Sequence, residues 1–361
     1  MDRLLVHENK HPIYEIVLKS SFEELRFELE KLDIGKKKAC IVTDSNVGPL
    51  YEEEIHRMLD GLCAKVVTFQ FEAGENHKNL NTIQDIYETL IVNQFDRKDL
   101  LIALGGGVVG DMTGYAAATY LRGVDFVQIP TSLLAQVDSS IGGKTGVDFN
   151  CYKNMVGAFH QPKLVYINLA TLATLDNRQF NSGMAEIIKH GLIRNKGYYE
   201  WIKAHTKAIQ NKELDILKDL VLRSCEIKQF VVENDPKEKG ERALLNFGHT
   251  AGHAVEKLKD FQLLHGECVA LGIVAASYLS YKRGSISDWE YQDIKNILSA
   301  YGQPVRVDGL EPGEILAATK VDKKMEAGII KYVLLHSIGR AYICRDLTDT
   351  EIMDAISQII K

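Results

Sequence analysis

No two of the six cysteines are spaced as C-x-x-C, and the chain is too long to depend on disulfide staples. Free thiols at Cys40, Cys63, Cys151, Cys225, Cys268 and Cys344, in a reducing compartment, are the expectation. Basic runs are missing too, and the formal net charge is −6, which argues against nucleic acid as a partner. The opening residues, MDRLLVHENKHPIYEI, hold no apolar core of a signal segment, and no apolar stretch reaches bilayer-spanning length. A cytoplasmic protein with no membrane partner is therefore expected. Internal repeats and low-complexity tracts are also absent, so the chain is not a repeat array.

What is present is ordinary globular composition. The 361 residues are 45% hydrophobic and 25% charged, enough to build two domains with cores of their own. Up to about residue 176, short apolar runs alternate with helical patterns. Strands are expected at 13–18, 39–43, 65–71, 100–104, 126–130 and 165–168. Helices are expected from Ser21, over 51–59 and in a segment ending at Val92. Beyond residue 176 the spacing turns helical, at 184–193, 198–209, 213–232, 243–258, 266–282, 288–301 and 312–319. A hairpin (331–335 with 340–344) and a terminal helix (350–360) follow. The fold class is thus α/β: a Rossmann-like, nucleotide-binding N-terminal domain over 1–176 and a mostly α-helical domain over 177–361. The cleft is expected near 175–180.

The stretch 101–153 concentrates the chemistry. LIALGGGVVGDMTG reads as a buried strand, a glycine turn and a helix start, which offers free N–H groups to a phosphate. Gly105-x-Gly107-x-x-Gly110 matches the dinucleotide fingerprint formally, but follows a late strand and runs straight into Asp111, so it is a glycine-rich phosphate turn outside the usual position. A tight packing turn explains one or two glycines and explains three in a row poorly. Asp138 to Asp148 holds too many glycines for a helix and reads as a loop or hairpin. Asp44-Ser45-Asn46 and Thr131-Ser132 stand at carboxyl ends of strands, where ligands sit in open α/β sheets. The first suits a ribose and, equally, a turn or helix cap. Glu75 and Lys78 read by themselves as a capped helix start.

In the second half, His249 and His253 are i, i+4 and share a helix face. His265 lies 16 positions beyond His249, and Glu186 is a carboxylate in the mostly apolar run MAEIIKH. Buried carboxylates are expensive unless paired or metal-bound. Three ligands with an open position suit a catalytic divalent ion such as zinc, and spacing points to His249 with His253. Taken singly, each histidine reads as a hydrogen-bonded core residue. Lys189, Lys228, Arg242 and the Lys323-Lys324 pair are candidates to hold an anion, though each alone reads as surface charge.

The segments GGGVVGD, AQVDSSIGGKTGVD, YKNMVGAFHQP, GMAEIIKHG, ALLNFGHTAGHA, LLHGECVALG and VDKK resemble, in order and over nearly the whole chain, the 3-dehydroquinate synthase family. That family belongs to the sugar phosphate cyclases and shares its fold with polyol dehydrogenases of the glycerol dehydrogenase type. The resemblance implies conversion of 3-deoxy-D-arabino-heptulosonate 7-phosphate, a phosphorylated sugar acid, to 3-dehydroquinate and phosphate. This is the second step of the shikimate pathway. NAD is used transiently, together with a divalent metal, zinc or cobalt, in a homodimer.

Residue by residue, the resemblance implies Glu186, His249 and His265 as metal ligands, with His253 in proton chemistry; this replaces the reading from spacing. It implies a substrate pocket of Arg122, Asp138, Lys144, Lys153, Asn154, Lys189, Lys228, Arg242 and Asn246, with one lysine of the Lys323-Lys324 pair. Lys153, Asn154 and Arg242 would clamp phosphate; Lys144, Lys228 and Lys189 suit the carboxylate and hydroxyls. NAD would be held by Asp44, Asn46, Gly74, Glu75, Lys78, Gly106, Gly107, Val108, Val109, Gly110, Asp111, Thr131, Ser132 and the turn Thr171, Leu172, Ala173, Thr174, with Lys144 and Lys153 alongside. The chain departs from the family pattern at Phe149-Asn150-Cys151-Tyr152, where a proline-glycine turn is more usual, and at Ser132, where threonine is commoner.

Three other functions compete. A 2-deoxy-scyllo-inosose or valiolone-type cyclase acts on substrates lacking the carboxylate and would change the 138–144 loop and the Arg242/Asn246 pair. A polyol dehydrogenase needs no phosphate clamp. A non-catalytic binding module would have lost a ligand or a pocket lysine. The motifs are intact against all three.

Overall fold

A computed structural model of the chain describes residues 2–150, 152–238, 240–260, 262–323 and 331–361, with residues 321–323 described by their backbone alone. The chain divides into two compact units, Met1–Leu175 and Asp176–Lys361.

The first unit contains β1 (Arg3–Glu8), β2 (His11–Lys19), α1 (Leu25–Glu30), β3 (Lys38–Asp44), α2 (Gly48–Leu59), β4 (Lys65–Phe71), α3 (Leu80–Val92), β5 (Leu100–Gly105), α4 (Gly107–Thr119), β6 (Asp125–Pro130), β7 (Lys144–Phe149), β8 (Tyr152–Phe159) and β9 (Leu164–Asn168). Seven strands form one Rossmann-type sheet in the order β1-β2-β9-β6-β5-β3-β4, parallel except for the antiparallel β1–β2 edge. The strands read as unbroken apolar runs because both faces of the sheet are covered. Cys40, Val42, Leu101 and Ala103 pack with Ile83, Ile86 and Met112 from α3 and α4. Ala39, Ile41, Leu100 and Ile102 face the other way, onto Leu25, Leu29, Ile55 and Leu59 from α1 and α2. The strand order reverses between β3 and β5, so the crevice that binds ligands in open α/β sheets lies at the carboxyl ends of those two strands.

Strand β1 has no counterpart in the sequence reading. It is a short edge strand with Leu5 exposed, and its alternation is too brief to separate from a loop. It matters through Arg3, whose guanidinium donates to the buried Glu28 at 3.1 and 2.7 Å, while Lys31 donates to the same carboxylate at 2.7 Å. Burial raises the Glu28 pKa, but Arg3 and Lys31 outweigh it and hold the group below its ordinary value. A depressed folded-state pKa stabilises the fold above the unfolded value, and that contribution is lost as pH falls through the folded one. Glu28→Gln is therefore expected to cost about 2 kcal/mol at neutral pH. In urea melts its deficit against wild type shrinks as pH drops below 4.5; a deficit independent of pH would remove the ion pair from the account.

The second unit is helical: α5 (Asn177–Arg194), α6 (Lys196–Ala204), α7 (Thr206–Gln210), α8 (Leu214–Asn234), α9 (His249–Leu258), α10 (His265–Lys282), α11 (Asp288–Ala300), α12 (Pro312–Lys323) and α13 (Asp349–Ser357), with the hairpin β10 (Tyr332–Ser337) and β11 (Arg340–Cys344). Two helices expected as continuous are broken. The 198–209 pattern divides at His205 into α6 and α7. The 243–258 pattern becomes a 3-10 turn, Glu241–Asn246, and then α9, because Gly248 takes the left-handed conformation with φ 82° between them. Among the described residues no helix is long and apolar enough to cross a membrane, and Cys40, Cys63, Cys225, Cys268 and Cys344 are thiols outside any disulfide.

Candidate active site

In the first unit, the residues assigned to a nucleotide gather at the carboxyl ends of the parallel strands. Asp44 closes β3, and its Oδ1 accepts the backbone N–H groups of Asn46 and Val47, both at 2.9 Å. The turn reading of this triplet is thus realised. Gly105 ends β5, and Gly106 enters α4 in an extended conformation with no side chain capping the helix. The first N–H groups of α4 therefore face outward as donors for an anion. Hydroxyls stand over this turn: a Cβ built on Gly106 would lie 3.4 Å from Ser132 Oγ, and one on Gly107 would lie 3.1 Å from Ser139 Oγ. Val108, Val109, Gly110 and Asp111 form the first turns of α4. Gln136 Nε2 donates to Pro130 O, Asn168 O and Thr171 Oγ1, each at 3.2 Å. It thereby ties the end of β6 and Thr131 to the 3-10 turn Leu169–Ala173, which holds Thr171, Leu172 and Ala173; Thr174 caps that turn.

Lys78 departs from the sequence reading. The cap of α3 is Asn79, not Glu75 or Lys78. Lys78 is only 4% exposed, and its Nζ meets Asp111 Oδ2 at 2.7 Å and Asn154 Oδ1 at 2.6 Å. Glu75, just past Gly74, faces Lys78 at 3.9 Å and Lys153 at 3.2 Å. Burial lowers the Lys78 pKa, but Asp111 and Glu75 more than offset it and keep the ammonium charged. Asp138 is half-buried in a π-helical turn, Ala135–Ser139, where a loop was expected, and Lys144 opens the β7–β8 hairpin. Arg122 does not join this group. It is exposed at the far end of α4 with φ 68°, about 20 Å from the glycine turn by helix length.

In the second unit three helices converge. Glu186, on α5, is fully buried, and Lys189 one turn later pairs with its Oε2. Its Oε1 lies 3.5 Å from Nε2 of His249, at the start of α9, and 3.5 Å from Nε2 of His265, at the start of α10. Neither carboxylate oxygen takes a well-directed hydrogen bond. Separations of 3.5 Å are too long for hydrogen bonds, but they match the edge of a tetrahedron about an ion with bonds near 2.1 Å, which is about 3.4 Å. The donor set fits a divalent metal. His253 lies on the same face of α9, its ring 5.1 Å from that of His249 and 5.7 Å from that of His265. The nearest ring nitrogens of the three histidines all fall within 4.8 Å of one another, so histidines alone would also make a cluster.

Burial raises the Glu186 pKa, but Lys189, His249 and His265 outweigh it and hold the group far below the usual carboxylate range. Burial, then Lys189, pushes His249 well down, so its imidazole is neutral at pH 7, the form that can ligate an ion. Burial lowers His265, yet the facing Glu186 and Glu256 carboxylates raise it to about 9; an arriving ion displaces that proton.

Several groups read singly as surface charge are buried: Lys189 is 1% exposed, Lys228 7% and Arg242 2%. Arg242 Nη1 donates to Pro236 O at 2.6 Å, and its N–H to Asp235 Oδ2 at 3.1 Å. Asn246 Nδ2 donates to Glu238 Oε1 at 2.8 Å. Of the Lys323-Lys324 pair, Lys324 lies outside the described residues, and Lys323 is placed only by its backbone at the end of α12.

Residues 68–182 match the family model for the 3-dehydroquinate synthase N-terminal region, and residues 183–325 match that for the C-terminal region. The chain belongs to the 3-dehydroquinate synthase family. A 3-dehydroquinate synthase of Ruminiclostridium cellulolyticum is 42% identical over 347 residues, 96% of each chain. That of Acetivibrio thermocellus is 47% identical over 308 residues, 85% of this chain and 86% of its own. Among solved structures, a 2-epi-5-epi-valiolone synthase from Streptomyces hygroscopicus with NAD+ and Zn2+ bound aligns with TM-score 0.89 at 28% identity, over 98% of both chains. The family expectation drawn from the motifs is borne out.

Sequence reasoning passed over Glu256, which is 2% exposed with Oε1 3.6 Å from Nδ1 of His265. The signal was available: positions 249, 253 and 256 are i, i+4 and i+7, one stripe of a helix.

Proposed function

We propose that the protein converts 3-deoxy-D-arabino-heptulosonate 7-phosphate to 3-dehydroquinate and phosphate, as a phosphate-eliminating lyase of the shikimate pathway. The observation that carries this is the buried Glu186 carboxylate with one imidazole Nε2 of each of His249 and His265 at 3.5 Å, in a chain of this family. When bound, NAD accepts and returns one hydride, and a zinc or cobalt ion acts as Lewis acid on the substrate's vicinal oxygens. The domain over residues 1–176 is assigned to NAD and that over 177–361 to the metal and much of the substrate.

Each residue then has a task. The free N–H groups at the start of α4, with Ser132 beside them, seat the dinucleotide phosphates. Thr131, Asp44 and the 171–174 turn line the strand ends around it. Lys78 locks Asp111 and Asn154 in one orientation. Lys153, Asn154 and Arg242 take the substrate phosphate, and Lys144, Lys189 and Lys228 take its carboxylate and hydroxyls. Arg242 is held by Pro236 and Asp235 before substrate arrives, so little is lost in ordering it. His253 moves a proton without ligating the ion. In such a pocket the departing phosphate can itself accept the proton of the elimination.

We assign a homodimer in the cytoplasm. The β7–β8 hairpin carries four exposed large apolar side chains, Phe149, Tyr152, Met155 and Phe159, which a second copy could cover. Arg122, remote from the glycine turn of its own chain, serves substrate in this reading as a donation to the second copy.

The test supplies the heptulosonate phosphate with trace NAD and zinc or cobalt. Phosphate is expected to match substrate consumed, with NADH never exceeding the NAD present. No phosphate, or NADH rising in proportion to substrate as in a polyol dehydrogenase, overturns the assignment. Faster turnover of the analogous heptulose phosphate lacking the carboxylate would point to a valiolone-type cyclase instead.

A further inference from the structure

The two imidazoles beside Glu186 share one orientation. His249 presents Nε2 to Glu186 and has its Nδ1 3.2 Å from Phe247 O. His265 presents Nε2 to Glu186 and has its Nδ1 3.6 Å from Glu256 Oε1. In both rings the nitrogen away from Glu186 therefore faces an oxygen, at hydrogen-bond length for His249 and at ion-pair distance for His265; an acceptor on that side favours the proton on Nδ1 and leaves the Nε2 lone pair toward the ion. The two acceptors differ. Phe247 O is part of the backbone that enters α9. Glu256 is a side chain, 2% exposed and surrounded on α9 by the buried Ala254 and Val255, where a carboxylate is expensive unless it is used.

We infer that Glu256 is a positioning residue: it fixes the ring and tautomer of His265 so that Nε2 is presented to the ion, and α9 thereby both supplies one ligand and orients another. This rests on the Glu186–His249–His265 reading of the metal site. A carboxylate in that place also makes the imidazole a stronger donor to the metal than a neutral acceptor does. His265 sits at the first position of α10, where the helical neighbours at i−3 and i−4 are missing, so its ring has less intrahelical support than a mid-helix residue. Ser182 Oγ accepts from Gly266 N at 3.0 Å and Glu267 closes the turn on Leu264 N at 2.7 Å. These contacts fix the backbone at His265, and Glu256 and Glu186 are the carboxylates that face the two nitrogens of its ring.

The test is metal affinity, read without turnover. The chain is stripped with a chelator and titrated with Zn2+ or Co2+ in competition with a chromophoric chelator. Glu256→Ala is expected to weaken binding about 10- to 100-fold and to shift the visible bands of the Co2+ form. Glu256→Gln, whose amide oxygen still accepts from Nδ1, falls between Glu256→Ala and wild type. In the same titration Glu186→Ala and His265→Ala lose the ion outright. If they lose it while Glu256→Ala binds as wild type does, with only the melting temperature of the stripped protein changed, the inference fails and the metal site stands. If Glu186→Ala and His265→Ala bind normally, the site reading itself fails. Should Glu256→Ala not fold, Glu256→Asp takes its place: its oxygen is withdrawn by one methylene, and wild-type affinity in both Glu256→Asp and Glu256→Gln overturns the inference.

Discussion

Glu186→Ala is expected to leave a protein that retains no zinc or cobalt after gel filtration and has lost turnover by on the order of 10³-fold or more, the size of several kcal/mol of Lewis-acid stabilisation. Two consequences follow from the same side chain. Its carboxylate is the anionic member of the proposed ligand set, and it is also the counter-charge of Lys189, which is 1% exposed. Removing one partner of a buried pair strands the other, at a cost of about 3–5 kcal/mol, so the alanine variant should also melt earlier. Glu186→Gln keeps the volume and separates packing from charge: it should lose the ion as well. His253→Ala is the companion experiment. If Glu186, His249 and His265 hold the metal, His253→Ala keeps it with near-normal affinity and loses turnover by about 10²- to 10⁴-fold, the range of general acid–base catalysis. The three-histidine cluster predicts the reverse, with metal lost in His253→Ala and kept in Glu186→Ala. Metal analysis of the two variants decides between these ligand sets, whatever happens to activity.

What could be read from sequence divides by the distance over which a signal acts. Strand β4 and the end of α3 were legible to the residue, because a buried parallel strand is a bounded apolar run and Val92 precedes a turn. The glycine turn after β5 was legible because three consecutive glycines need a reason. Strand order was not, since nothing in β3 records that β5 rather than β6 lies beside it. The buried cations were misread for the same reason. Lys78 has its partners 33 and 76 residues away, at Asp111 and Asn154, so by itself it looks like any helix-flanking lysine. At the candidate metal site spacing could only compare residues within one helix and pointed to His249 with His253. Glu186 and His265 come from α5 and α10 and stand beside His249 through packing, so only the family resemblance could put them forward. The break before α9 escaped notice because glycine is tolerated in a helical pattern; the left-handed Gly248 shows up only when the chain is traced.

Gly272→Ala, a change that touches no ligand, is expected to remove most of the metal affinity. Helices α9 and α10 cross with their backbones in contact. A Cβ on Gly272 would lie 1.6 Å from Gly248 O, 2.6 Å from its carbonyl carbon and 2.9 Å from Gly252 N. All three obstacles are backbone, so no rotamer change relieves the clash and the helices must move apart. Gly248 is locked from its side as well: its φ of 82° suits glycine, and its own Cβ position is blocked by Val269 O at 2.9 Å. His249 follows Gly248 directly, while His265 lies two turns before Gly272 on α10, so separation at this crossing is separation of two of the proposed ligands. The ion requires both imidazoles within bonding reach of one point, and metal affinity falls steeply with an ångström of displacement. Overpacking of this kind costs about 3 kcal/mol, and metal affinity should fall at least tenfold, with turnover following it. Gly252→Ala, blocked by Cys268 O at 2.7 Å, should behave the same way to a lesser degree. Gly313→Ala is the control: its Cβ meets nothing within 4 Å, and in the first turn of α12 alanine should be neutral or stabilise by about 0.5 kcal/mol. A Gly272→Ala protein that binds zinc as tightly as Gly313→Ala would show that the helix crossing does not set the ligand spacing.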